Sequence, residues 1–165
     1  MSGEAVGSAA RERVRQVDVP ASVPALTKLD RIDYADTFLV EIGPGPRTAE
    51  QCAREILEGA PVAIRTKLLS GWSSLGLRIG NVASKGTVLG WRVRQSSPDF
   101  VLLGAGSRIG MPGELMFRKD GDTLLFATVV QHGNVLARAV WAMAELAHVR
   151  MVRHILDQAS RRLRP

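Results

Sequence analysis

The stretch from Asn134 to Arg162 holds neither Gly nor Pro and is rich in Ala, Leu, Met and Arg, all good helix formers. At about 1.5 Å per residue it makes one helix of roughly 40 Å, more than the ~30 Å diameter of a small domain, so the rest of the chain must be built against it. Asn134 supplies an N-cap. Arg150, Arg153, Arg161, Arg162 and Arg164 gather toward the C-terminal end, where the helix dipole favours positive charge. At about 100° per residue, Arg150, Arg153, His154, Asp157 and Arg161 fall together on a wet side. The opposite side carries Ala137, Trp141, Ala144, His148, Met151, Val152, Ile155 and Ala159, with Asn134, Arg138 and Glu145 along its border. The half from Val135 to Ala147 is apolar almost all round, which predicts a curved surface wrapped about it and approaching closely over its alanines.

A chain of 165 residues with 45% hydrophobic content makes one domain with a real core. Residues 1–25 mix small, charged and Pro residues without sustained period and predict a flexible tail, its end laid as an arm on a single domain over 26–165. One cysteine, Cys52, forbids an internal disulfide, and no apolar N-terminal stretch marks a signal peptide. Cytoplasmic residence is the expectation. No run of 18 apolar residues predicts a membrane span. Of the net charge of +6, an excess of four lies in residues 134–165, where six arginines face two acids. With only 5% aromatics and no broad basic face, nucleic-acid binding is not predicted.

Earlier in the chain, Asp33 to Ile42 reads as a strand with Tyr34, Phe38, Val40 and Ile42 on one face. After the break Gly43-Pro44-Gly45-Pro46, Thr48 and Gln51 make a capping box that opens a helix ending near Gly59, with Cys52, Ile56 and Leu57 as its buried stripe. A second helix follows Pro61 and is expected to break at Gly71. From Val88 the period falls to two. Four strands are predicted, Val88–Ser96, Phe100–Ser107, Gly113–Lys119 and Thr123–His132, and the short turns between them force antiparallel pairing. Strands segregated from helices in this way define an α+β fold.

The order strand, two helices, antiparallel strands and one long terminal helix resembles the helix-grip fold of the START-like (SRPBCC) superfamily. The ending, with Thr128, Val130, Asn134, Trp141 and His148 in a T-x-V strand leading through Asn into a helix with a Trp and a His seven positions on, is similar to an uncharacterised bacterial branch of it. The resemblance covers about residues 30–160. It implies a curved antiparallel sheet gripping the terminal helix, two helices inserted after the first strand, and a cavity between sheet and helix used by relatives for lipids, hormones or polyketides. Relatives have six or seven strands; five are counted here, and Leu75–Val82 is the expected place for a sixth. Trp91, Val93, Leu102, Leu115, Phe117 and Phe126 are the strand residues expected to face inward.

Phe100 to Gly110 contains G-A-G-S-R-I-G after a strand, which resembles a dinucleotide-binding turn. The residues after Gly110 form another strand entering a hairpin, so glycines that permit a bend or bulge are the better reading. His132, His148 and His154 show no metal-binding spacing, and no metal or cofactor is predicted. Asp99, Glu114 and Arg118 flank hairpin turns and read as solvated rims. Cys52 reads as a small core residue.

Glu145 and His148, three apart on the helix, can meet. They stand either as ordinary polar residues satisfied by hydrogen bonds, Glu145 pairing with Arg138 or a sheet arginine, or as cavity-lining groups able to work as an acid–base pair. The functional expectation is a binder of an apolar, lipid-like or polyketide-like ligand, with Trp141, Trp91, Phe117 and Phe126 giving apolar contact and Arg138, Glu145 and His148 fixing orientation. A cyclase- or hydratase-type enzyme using Glu145 and His148 is the alternative. Nothing in the sequence sets an oligomeric state.

Overall fold

A computed structural model describes residues 12–164; positions 1–11 of the expected tail lie outside the described residues. Seven antiparallel strands form one curved sheet in the order β1-β2-β7-β6-β5-β4-β3. They are β1 (Val14–Val17), β2 (Tyr34–Glu41), β3 (Thr87–Val88), β4 (Trp91–Ser97), β5 (Phe100–Ala105), β6 (Gly113–Asp120) and β7 (Thr123–Val130). The helices are α1 (Ser22–Leu26), α2 (Ala49–Leu57), α3 (Val62–Ser74) and α4 (Val135–Leu163). The fold is α+β, with a long C-terminal helix laid on one face of the sheet.

The strand count corrects the expectation at both sheet edges. β1 lies inside the expected flexible tail and pairs with β2, Val14 opposite Val40 and Gln16 opposite Phe38, so the ordered domain includes residue 14. β3 is a two-residue strand folded onto β4 through Leu89 and Gly90, whose φ angles of 45° and 86° make the tight turn. Leu75–Val82 supplies no strand, only a single bridge from Leu77 to Ser107. α3 also runs unbroken through Gly71 to Ser74. α2 opens on the expected capping box, Thr48 accepting from the Gln51 amide while the Gln51 side chain accepts from the Thr48 amide.

Both faces of the sheet are covered, which explains why strand parity misleads in its middle. The inner face carries Phe38, Val101, Leu103, Leu115, Phe117 and Phe126, packed against Ile56 and Leu57 of α2 and Ile155, Leu156, Ala159 and Leu163 of α4. The outer face carries Phe100, Leu102, Met116, Ala127 and Val129 beneath Val23 and the segment to Ile32. Leu102, expected inward, therefore faces outward. In β5, Phe-Val-Leu-Leu-Gly-Ala is buried at every position, and a doubly covered strand loses the alternation that marks its faces. Glu114, expected at a solvated rim, is fully buried on this outer face. Its carboxylate accepts from the Thr27 hydroxyl and from the Lys28 amide at 3.0 Å, pinning the arm to the sheet.

α4 begins where its cap predicts. The Asn134 side chain accepts from the Ala137 amide at 2.8 Å and donates to the Ile109 carbonyl at 2.9 Å, fastening the helix start to the β5–β6 connection. The G-A-G-S-R-I-G run begins at the end of β5 and finishes in that connection, and no helix follows it. Gly110 has φ of 79°, and a Cβ there would lie 2.6 Å from Asn134 Nδ2, so a glycine is required by the cap. The expected wrapping of the first half of α4 is not found. Val135, Leu136, Met143 and Leu146 are 79%, 58%, 88% and 62% exposed, because the sheet and α3 reach one side of the helix only.

Asn134→Ala is expected to lower the unfolding free energy by about 1–2 kcal/mol, since both a cap and a tertiary bond are lost. Asn134→Asp, which keeps the cap acceptor but loses the donor to Ile109, should fall between. Urea unfolding of the three proteins checks this order; equal stability of Asn134→Asp and Asn134→Ala would deny the cap its role.

Candidate functional site

Three elements meet around one buried carboxylate. On β2, side chains alternate so that Tyr34, Asp36, Phe38 and Val40 share the inner face, and β7 places Thr128 opposite Asp36 and Val130 opposite Tyr34. On α4, Trp141 and His148 are seven residues apart and so point to the same side. Asp36 is 3% exposed. Its Oδ2 accepts from the Tyr34 hydroxyl at 2.6 Å and pairs with His148 Nε2 at 3.0 Å. The rings close around this pair, Tyr34 to Trp141 at 4.8 Å and Trp141 to His148 at 5.1 Å between centroids.

The electrostatics follow from burial. The Tyr34 phenol is pushed well above its ordinary 10, chiefly by desolvation, with the hydrogen bond to Asp36 and the charges of Asp36 and Glu145 acting the same way. It therefore stays a donor throughout the physiological range. The contact of His148 Nε2 with the Asp36 carboxylate fixes the orientation of the imidazole ring. Burial also pushes the Cys52 thiol up, and its side chain is fully enclosed on the core side of α2 and lines neither cavity at the site.

Beside the pair lies an apolar cleft of about 300 Å³ between α3, α4 and the sheet. Gly71 and Trp72 of α3, Ala144, Ala147 and His148 of α4, and Leu115 and Phe126 of the sheet border it, with Lys67 the sole charged lining residue. Small residues on the facing helices leave this space, and a Cβ at Gly71 would meet nothing within 4 Å. The cleft continues inward to a chamber of about 40 Å³, with which it shares Trp72, Leu75, Leu115 and His148, and which Trp91, Thr128 and Trp141 complete. A hollow on the β1–β2 side, bordered by Glu12, Arg13, Arg15 and Glu41, is polar and holds no such buried group.

The predicted residues divide accordingly. Trp141 and His148 sit at the centre, Trp91 lines the chamber, and Phe126 lines the cleft. Phe117 is core, packed on Phe126 at 4.9 Å and away from the space. Arg138 and Glu145 are exposed and line neither space, which corrects their expected place as orienting groups. His148 pairs across the fold with Asp36, and not along the helix with Glu145. Sequence reasoning missed Asp36 and Thr128 as site residues. Parity was the available signal, since Asp36 falls between Tyr34 and Phe38 on a face already assigned to the interior. Among the described residues no cluster of His, Cys, Asp or Glu could hold a metal ion, and no helix is long and apolar enough to cross a membrane.

Comparison of the chain with protein-family models, characterised proteins and solved structures finds no match.

Tyr34 is the sole tyrosine, so its ionisation can be read without interference. Its folded pKa is raised, so the stability tied to its protonated form is full below the unfolded value of 10 and is lost as pH rises above it. Tyrosinate absorbance is expected to stay flat through pH 10 in the native protein and to appear only with loss of native circular dichroism; a native titration step at the ordinary value would contradict the buried bond to Asp36. Cys52 should likewise resist a thiol reagent until denaturant is added.

Proposed function

We propose that the protein is a cytoplasmic carrier or sensor that binds an apolar small molecule, lipid-like or polyketide-like, in the cleft between α3, α4 and the sheet. The observation that carries this reading is the cleft itself. Its volume of about 300 Å³ is at the small end of ligand sites, and its walls are apolar but for Lys67 and His148. The helix-grip resemblance adds a precedent, because relatives of that architecture hold ligands between sheet and terminal helix. Trp72, Trp91 and Trp141, all the tryptophans of the chain, line the cleft or its inner chamber.

A second reading is favoured by the His148–Asp36 pair. A buried carboxylate that orients an imidazole at the edge of a cleft is an arrangement a general base can use. Under it the protein is an enzyme of cyclase or hydratase type, with His148 moving the proton and Asp36 holding it in position.

Native mass spectrometry of protein taken from its host, followed by tryptophan fluorescence titration with apolar ligands, tests the first reading. Gly71→Phe should fill the cleft and weaken binding by about tenfold or more, with thermal stability kept or raised because a mid-helix glycine is removed. Binding untouched by Gly71→Phe would move the ligand elsewhere. For the second reading, turnover of any substrate found should fall about 10²–10⁴-fold in His148→Asn; an unchanged rate removes the histidine from the chemistry.

A further inference from the structure

The side of α4 turned away from the sheet carries a pattern of its own. Of the seven large hydrophobic residues exposed among the described residues, four lie between Val135 and Leu146: Val135, Leu136, Met143 and Leu146. More than half of each stands in water, so they make one patch and not scattered positions. Val135, Ala139, Ala142 and Leu146 follow one another at intervals of four, three and four, the spacing of a seam between two helices, and all four are exposed. Leu136 and Met143 run along one flank of this seam, and Arg138 and Glu145 along the other. Among the described residues neither Arg138 nor Glu145 makes a side-chain ion pair. Beyond Leu146 the stripe ends at Arg150 and Arg153.

We propose that this face pairs with the same face of a second copy, the two α4 helices lying antiparallel about a two-fold axis between Ala139 and Ala142. Charge complementarity selects this occupant. An antiparallel two-fold returns each flank of the seam to itself, so Arg138 lies beside the partner's Glu145 and Glu145 beside the partner's Arg138. In the same register Val135 meets the partner's Leu146, and Ala139 meets the partner's Ala142, where small side chains let the axes approach to about 8 Å. Leu136 and the partner's Met143 cover the remaining flank. A parallel pair would set the charged flank against the apolar one. An anionic membrane would take the stripe but would meet Glu145 along its edge. The seam is about three turns long, short of a standard interface, so the dimer forms with a Kd of about micromolar and separates on dilution. The cleft and its ligand have no part in the pairing.

Sedimentation equilibrium of the full chain across the micromolar range tests it. The wild type is expected to pass from monomer to dimer. Ala142→Glu, a change to a good helix former at an exposed position, should weaken the dimer about tenfold or more while circular dichroism and thermal unfolding stay unchanged. Arg138→Glu and Glu145→Arg should each weaken it by about threefold or more, since each sets like charges together twice, and the double variant should return to within about twofold of the wild type. That rescue is the mark of the antiparallel register. A monomer at every concentration overturns the pairing, and binding of the wild type to phosphatidylglycerol vesicles in that case, lost in Ala142→Glu, would make the face a membrane contact. A dimer unaffected by Ala142→Glu places the interface elsewhere on the protein. A double variant no better than the single ones overturns the two-fold pairing of Arg138 with Glu145.

Discussion

The structure depends on how one buried carboxylate is held. Asp36 sits in the middle of a strand, on the face turned to the core, where an unpaired charge would be expensive. Its partners come from two elements, Tyr34 two residues away on the same strand and His148 on the terminal helix. The His148 bond ties sheet to helix between two apolar contacts, that of Trp141 and Ala137 with Val130 and that of Val152, Ile155 and Leu156 with the main core. Breaking either partner leaves the carboxylate short of a donor, and a buried charge without its partner costs more than the pair contributes when intact. Such a pair is a weak source of stability and a strong source of position. It fixes where along α4 the sheet is met, and so fixes Trp141 against Tyr34.

The length of α4 then divides its work. Val152, Ile155, Leu156, Ala159 and Leu163 close the core against α2, and the hydroxyl of Ser160 donates to the Glu41 carbonyl at 2.6 Å. Toward its N-terminal end, Ala144 and Ala147 face Gly71, and three residues with little or no side chain cannot fill the gap between two helices and a sheet. The cleft is thus a product of residue size at particular helix positions. Larger residues there would knit α3 to α4 and give a tighter protein with no space beside His148.

Much of the fold was legible because it rests on local patterns. The terminal helix announced itself by composition and cap, the capping box by Thr48 and Gln51, and the central strands by turn residues and period. The edges were not legible. β1 is four residues in a charged stretch, Val-Arg-Gln-Val, and its strand state comes from pairing with β2 and not from its own pattern. Leu102 and Glu114 were misplaced for a related reason, since the arm from Val23 to Ile32 covers the outer face and no local signal says so. At the site, Trp141 and His148 followed from helix spacing, but the partner of His148 did not. Helix spacing offers Glu145 three residues away, whereas the structure brings Asp36 from 112 residues away. A contact made across the fold leaves only parity on each strand as its trace.

Fixing the aromatic side chains in advance has a thermodynamic consequence for the cleft. Trp141 is held between Tyr34 and His148, and Trp91 packs edge-on against Trp72 at 5.5 Å, so these walls are ordered by their neighbours. Binding to a prepared wall spends less of its favourable free energy on side-chain entropy. The same preparation leaves buried polar atoms at Trp91, Trp141 and Thr128 without protein partners. A buried polar atom without a partner opposes folding by about 1–3 kcal/mol. Any molecule that bound the folded state alone would raise its stability by mass action.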